Sequence, residues 1–109
     1  MKFKIGDSAC FEKTISESDV YTYAGLTGDF NPLHINKVVA EKSIFKGQIV
    51  HGLLVSGLIS TVIGTQLPGV GTIYMSQEVK FLRPVRFGDT VKATVTLAEV
   101  INIEKGIYK

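Results

Sequence analysis

The chain has 109 residues, enough for one domain and too few for two independent cores. It is 45% hydrophobic and 20% charged, which excludes a disordered tract, because the apolar side chains can offset the entropy of ordering the backbone. Twelve Lys and Arg against ten Asp and Glu leave a formal charge of +2 with no basic run or stripe, a balance that argues against nucleic acid as a partner.

Met1 to Asp7 has no apolar run of the kind a secretion signal needs, so a cytoplasmic location is expected. Ser8 to Ile15 reads as a first strand, with Phe11 and Ile15 apolar and charges between them. Cys10 is the single cysteine, so no internal disulfide can form, and beside Phe11 it reads as a small apolar filler. Ser16-Glu17-Ser18-Asp19 has the form of a capping box, in which a hydroxyl and a carboxylate take up free amide donors at a helix start. Val20, Tyr23, Ala24 and Leu26 then fit a short amphipathic helix, with Gly25 and Gly28 flanking its end. Gly28 to His34 is read as a loop, and 36–45 as a second helix closed by Lys46-Gly47.

Leu53 to Leu67 is the most apolar segment, with only Gly, Ser, Thr and Gln between its Leu, Ile and Val residues. A helix apolar almost all round is expected to be buried, and Pro68-Gly69 ends this one before it is long enough to span a bilayer. Gly71 to Leu82 alternates polar residues with Ile73, Met75, Val79 and Phe81, and Thr90 to Ile101 alternates likewise, so both read as strands. Pro84 and Gly88-Asp89 mark the break between them, and a turn at Asn102 leads into a last strand from Ile103. An α+β fold of the hot-dog type follows from this order, with an antiparallel sheet wrapped around a central helix in a single domain, 1–109.

Asp29-x-Asn31-Pro32-x-His34 is the sharpest chemical signal. Pro32 fixes its own φ and pushes Asn31 toward extended backbone, while Asn31 can hydrogen-bond local backbone and hold the turn. A carboxylate on so stiff a segment can take a proton from water, and an imidazole can orient that water or pass the proton on. Gly52, at the start of the apolar helix, lets a ligand approach the backbone, and free amides there can polarise a carbonyl as negative charge develops on it. His51 is read as structural or as a support for the reacting pair that does not touch substrate, and Ser56, Ser60 and Thr61 as hydroxyls that can return to the preceding turn, one of which could face a pocket. Arg83 and Arg86 are read as an exposed basic pair. Two histidines without CxxC or HExxH give no metal site, and no phosphate-binding glycine motif is present.

Tyr23-Ala24-x-Leu26-Thr27-Gly28-Asp29-x-Asn31-Pro32-x-His34, with Ile49-Val50-His51-Gly52, Leu67-Pro68-Gly69 and Phe81-x-x-Pro84-Val85-x-x-Gly88-Asp89-Thr90, resembles the MaoC-like dehydratase family, and within it the (R)-specific enoyl-CoA hydratases. The resemblance covers nearly the whole chain. It implies reversible hydration of a trans-2-enoyl thioester to the (R)-3-hydroxyacyl thioester in fatty-acid or hydroxyalkanoate metabolism. Asp29 and His34 would be catalytic, with Gly52, Asn31 and Ser60 binding substrate. It implies no cofactor beyond the coenzyme A carried by the substrate, an acyl-CoA or acyl-carrier-protein partner, and a homodimer or higher oligomer. Relative to that pattern the chain stops as a strand begins, so the C-terminal strands are expected to be missing or shortened. A hot-dog thioesterase, an acyl-carrier-protein dehydratase and a non-catalytic acyl-thioester binding subunit are the competing readings.

Overall fold

The computed structural model describes residues 3–109, so Met1 and Lys2 of the N-terminal stretch lie outside it. Strand β1 (Ser8–Thr14) is followed by helices α1 (Glu17–Thr27), α2 (Pro32–Ile35), α3 (Lys37–Glu41) and α4 (Gly52–Thr65), then by strands β2 (Thr90–Thr96), β3 (Val100–Asn102) and β4 (Ile107–Tyr108). The chain condenses into two compact units, one of residues 12–57 and 77–91 and the other of residues 3–11, 58–76 and 92–109.

In the unit of residues 12–57 and 77–91 the expected capping box is present. Asp19 N donates to Ser16 Oγ over 3.1 Å, and Ser16 N donates to Asp19 Oδ2 over 2.9 Å. That backbone amide, followed by Lys13 with its Nζ 3.1 Å from Oδ2, holds the Asp19 carboxyl below the usual carboxylate value. Helix α1 ends at Gly28, whose positive φ of 79° is the left-handed conformation that glycine adopts without strain. Ile15, Val20, Ala24, Ala40 and Val50 are the buried apolar side chains here. The second expected helix is shorter than 36–45: Asn36 caps α3, and the helix is over by Lys42.

In the other unit the edges of the first and last thirds of the chain pair in opposite directions. Gly6 N donates to Leu97 O and Leu97 N to Asp7 O, both over 2.9 Å. Within the first unit Ile15 N donates to Asp89 O over 2.9 Å. Strand β3 pairs with β4 through Val100 opposite Tyr108, so the turn falls at 103–106 and not at Asn102. Leu58, Val62, Leu67, Ala93 and Leu97 are buried. Cys10 is exposed, not the expected filler, because alternation along β1 puts it on the side opposite Ala9 and Phe11.

Two expectations fail for a common reason. Residues 71–82 form neither helix nor strand, and α4 is not buried all round. His51, Leu58 and Val62 share the buried face, while Leu53, Gly57 and Ser60, on the opposite face by helical spacing, are exposed, Leu53 by 58%. Alternation and apolarity say which surfaces want cover, but a strand also needs a neighbour to accept its backbone hydrogen bonds. The described sheets, β1 with β2 and β3 with β4, do not include 71–82.

Candidate active site

The segment from Gly28 to Gly52 is built by short-range hydrogen bonds. Asp29 N donates to Thr27 Oγ1 over 3.2 Å, and Asn31 N donates to Asp29 Oδ1 over 3.3 Å, so the carboxylate folds onto its own turn. The side-chain oxygen of Asn31 accepts from Leu33 N at 3.1 Å, and Pro32 stands at the first helical position, where its missing N–H costs nothing. His34 therefore lies on α2 and not in a loop, a correction that comes from the Asn-Pro pair acting as a helix start. The expected contact of Asn31 with substrate has a competitor, since its oxygen is committed to the cap.

His34 is 8% exposed, and His34 Nδ1 lies 2.7 Å from the carbonyl of Ile49. A carbonyl can only accept, so Nδ1 carries the hydrogen and Nε2 is the free nitrogen of the neutral ring. Ile49 N in turn donates to Leu33 O over 3.1 Å, and Gln48 Nε2 donates to His34 O over 2.8 Å, so α2 is tied to 48–49 on three counts. Arg86 holds that loop from the far side of the sequence. Its guanidinium donates to Gly47 O over 3.1 Å and also to Phe45 O, and it is half-buried. Arg83 is exposed as expected, but Arg86 is a strut and not the other half of an exposed pair. A lone arginine carries no local mark of this role; its partners are carbonyls 39 and 41 residues away.

A carboxylate oxygen of Asp29 and ring nitrogens of His34 and His51 lie within 4.8 Å of one another. The structure thus brings Asp29 and His34 together, as the motif predicts, and adds His51 behind them. These are also residue types that ligate metal ions, a grouping invisible in the sequence because His51 follows His34 by seventeen positions. The two imidazoles stack with centroids 3.8 Å apart and planes 27° from parallel. In-plane lone pairs of stacked rings run side by side and do not converge on one ion, so the arrangement suits packing better than chelation.

Gly52 opens α4, where its amide has no intrahelical carbonyl to meet. A Cβ at Gly52 would stand 2.7 Å from the ring of Phe81, so a larger residue there would need that exposed ring to move. In the sequence Phe81 reads as an apolar strand position and as part of the family pattern, and nothing there marks its contact with Gly52. Ser60 lies in the other unit, exposed on α4.

Comparison with known proteins gives a consistent answer. The chain is 53% identical over 102 residues to an (R)-specific enoyl-CoA hydratase from Rhodospirillum rubrum, covering 94% of this chain and 71% of that protein. It is 46% identical over 98 residues to a 3-hydroxybutyryl-CoA dehydratase from Methylorubrum extorquens, covering 90% of this chain and 62% of that one. Among solved structures, the (R)-hydratase from A. caviae involved in PHA biosynthesis matches with a TM-score of 0.89 and 37% identity, over 94% of this chain and 77% of that chain. The expected α+β hot-dog class is therefore the observed one. The MaoC-like domain model matches residues 3–109, and the chain belongs to that family.

Proposed function

We propose that the chain is a hydro-lyase that adds water reversibly to a trans-2-enoyl thioester and yields the (R)-3-hydroxyacyl thioester. One observation carries the reading: the Asp29 carboxylate and the His34 ring lie within 4.8 Å, with His34 held by Ile49 so that Nε2 is its free nitrogen. One water can bridge such a span with two hydrogen bonds of about 2.8 Å. In the proposed reaction Asp29 takes a proton from that water while His34 orients it, and the water oxygen bonds to the β-carbon. The π electrons move through the α-carbon to the thioester oxygen, where the Gly52 amide stabilises the enolate. The α-carbon then takes a proton from the pair and the thioester carbonyl is restored, so one water has been added and nothing oxidised or reduced. The side chains suffice for this, and no cofactor is invoked.

The substrate in this reading is an acyl thioester of coenzyme A or of a carrier protein, in fatty-acid or hydroxyalkanoate metabolism. We further propose one domain across both compact units, a homodimer or larger assembly, and a cytoplasmic site of action. No helix among the described residues is long and apolar enough to cross a membrane.

Crotonyl-CoA absorbance tests the chemistry. The chain should consume the enoyl chromophore, and Asp29→Asn and His34→Ala should each lower kcat by about 10²–10⁴-fold. A wild-type rate in Asp29→Asn would remove the proposed base. Release of free thiol in place of loss of the double bond would favour a thioesterase, and acyl-CoA binding without turnover would favour a binding subunit. Crotonyl-CoA compared with the crotonyl carrier protein separates the two substrate classes.

A further inference from the structure

We propose that His51 is a positioning residue for both members of the acid–base pair, an inference that rests on the hydratase reading of the site. His51 is 2% exposed, and the reaction above does not use it. Its Nε2 lies 3.0 Å from the backbone carbonyl of Asp29, so Nε2 carries the hydrogen and donates it there. Its face covers the ring of His34, with centroids 3.8 Å apart, and Tyr23 packs on His51 with centroids 4.8 Å apart. One side chain thus anchors the backbone of the base and limits the swing of its partner ring.

The remaining nitrogen argues that more than packing is at stake. His51 Nδ1 is buried with no hydrogen-bond partner among the described residues, and a buried acceptor left unmet costs stability. A phenylalanine, a somewhat larger ring, would stack on His34 without that cost. What it would lack is the donor to Asp29. Glutamine would keep a donor at similar reach and lose the stacked face, so the two substitutions separate the two contacts. Displacing a catalytic group by about an ångström is enough to cost a reaction on the order of 10²-fold.

The experiment combines enoyl-thioester hydration kinetics with nitrogen-15 NMR of the histidines, on the intact chain, His51→Phe and His51→Gln. His51→Phe should lose kcat by about 10–100-fold with KM changed by less than about twofold, and His51→Gln should recover roughly tenfold of that loss. In the wild-type spectrum His51 should carry its hydrogen on Nε2 and His34 on Nδ1, and in His51→Gln the single tautomer of His34 should give way to a mixture. A wild-type kcat in His51→Phe overturns the proposal. So do equal losses in both variants that track a fall in melting temperature, because these mark a merely structural histidine. If the wild-type chain hydrates no enoyl thioester, the hydratase reading fails and the spectra still decide the positioning role: a hydrogen on Nδ1 of His51 overturns it. That wild-type spectrum also decides the matter if neither variant folds.

Discussion

The Asp29–Gly52 segment has 10 apolar residues in 24 and the 70–82 segment has 7 in 13, yet it is the less apolar one that builds structure. In the first, nearly every turn is closed by a partner two to four residues away, and His34 and His51 are buried. In the second, Val70 is 95% exposed and Leu82 86%, and no helix or strand forms. Local polar chemistry (caps, Asx turns, a proline at a helix start) completes its own hydrogen bonds and so builds structure from the sequence at hand. An alternating apolar stretch only states a requirement, which some other strand must meet.

The largest effect that tests this contrast lies where the two segments touch, at Gly52 and Phe81. Gly52→Ala puts a methyl 2.7 Å from the Phe81 ring, and kcat/KM for crotonyl-CoA should fall by about 10–100-fold as ring and helix start shift apart. Gly52→Ala combined with Phe81→Ala should regain most of that loss; a double variant no better than the single one means the ring is not what glycine accommodates. Next comes the cap of α2. Asn31→Ala removes the acceptor for Leu33 N and should cost about 1 kcal/mol in urea unfolding, and an unchanged midpoint would show that the turn closes without it.

Asp19 offers a smaller, pH-dependent effect. Its folded carboxyl titrates below the ordinary value of 3.8, chiefly through the Ser16 amide and then Lys13, so its contribution is present above 3.8 and lost as pH falls through the lowered folded value. The melting-temperature gap between the wild type and Asp19→Asn should therefore be open at neutral pH and close in acid, and a gap that stays open throughout rules out the carboxylate as its source. The smallest effect belongs to the second segment. Val70→Ser should change stability by less than about 0.5 kcal/mol, and a larger loss would mean that 70–82 is covered in solution.

Much of the first region was legible because its signals are local. Just upstream, Ser16 with Asp19 announces a helix start within four residues, and Asp29 and His34 sit close enough in sequence for proximity to be inferred, whereas the helix that Asn31 and Pro32 start reads as a loop until the cap is seen. What escaped was non-local. The stacking of His51 on His34, the packing of Phe81 on Gly52 and the reach of Arg86 to Phe45 and Gly47 all join residues far apart in the chain. The reading of Cys10 failed for a subtler reason: strand membership was right, but which alternate side faces inward is settled by packing.

The Arg86 strut bears on when the site can take shape. A nascent chain that has emerged as far as Val50 already contains Asp29, His34 and the Ile49 carbonyl. It lacks the guanidinium that holds Phe45 and Gly47, and it lacks Val85, whose carbonyl accepts from Val50 N over 2.8 Å. Closing a loop of some forty residues costs entropy that local caps do not. The proposed acid–base pair is thus written early in translation, and the contacts that hold its loop can form only after the ribosome has passed residue 86.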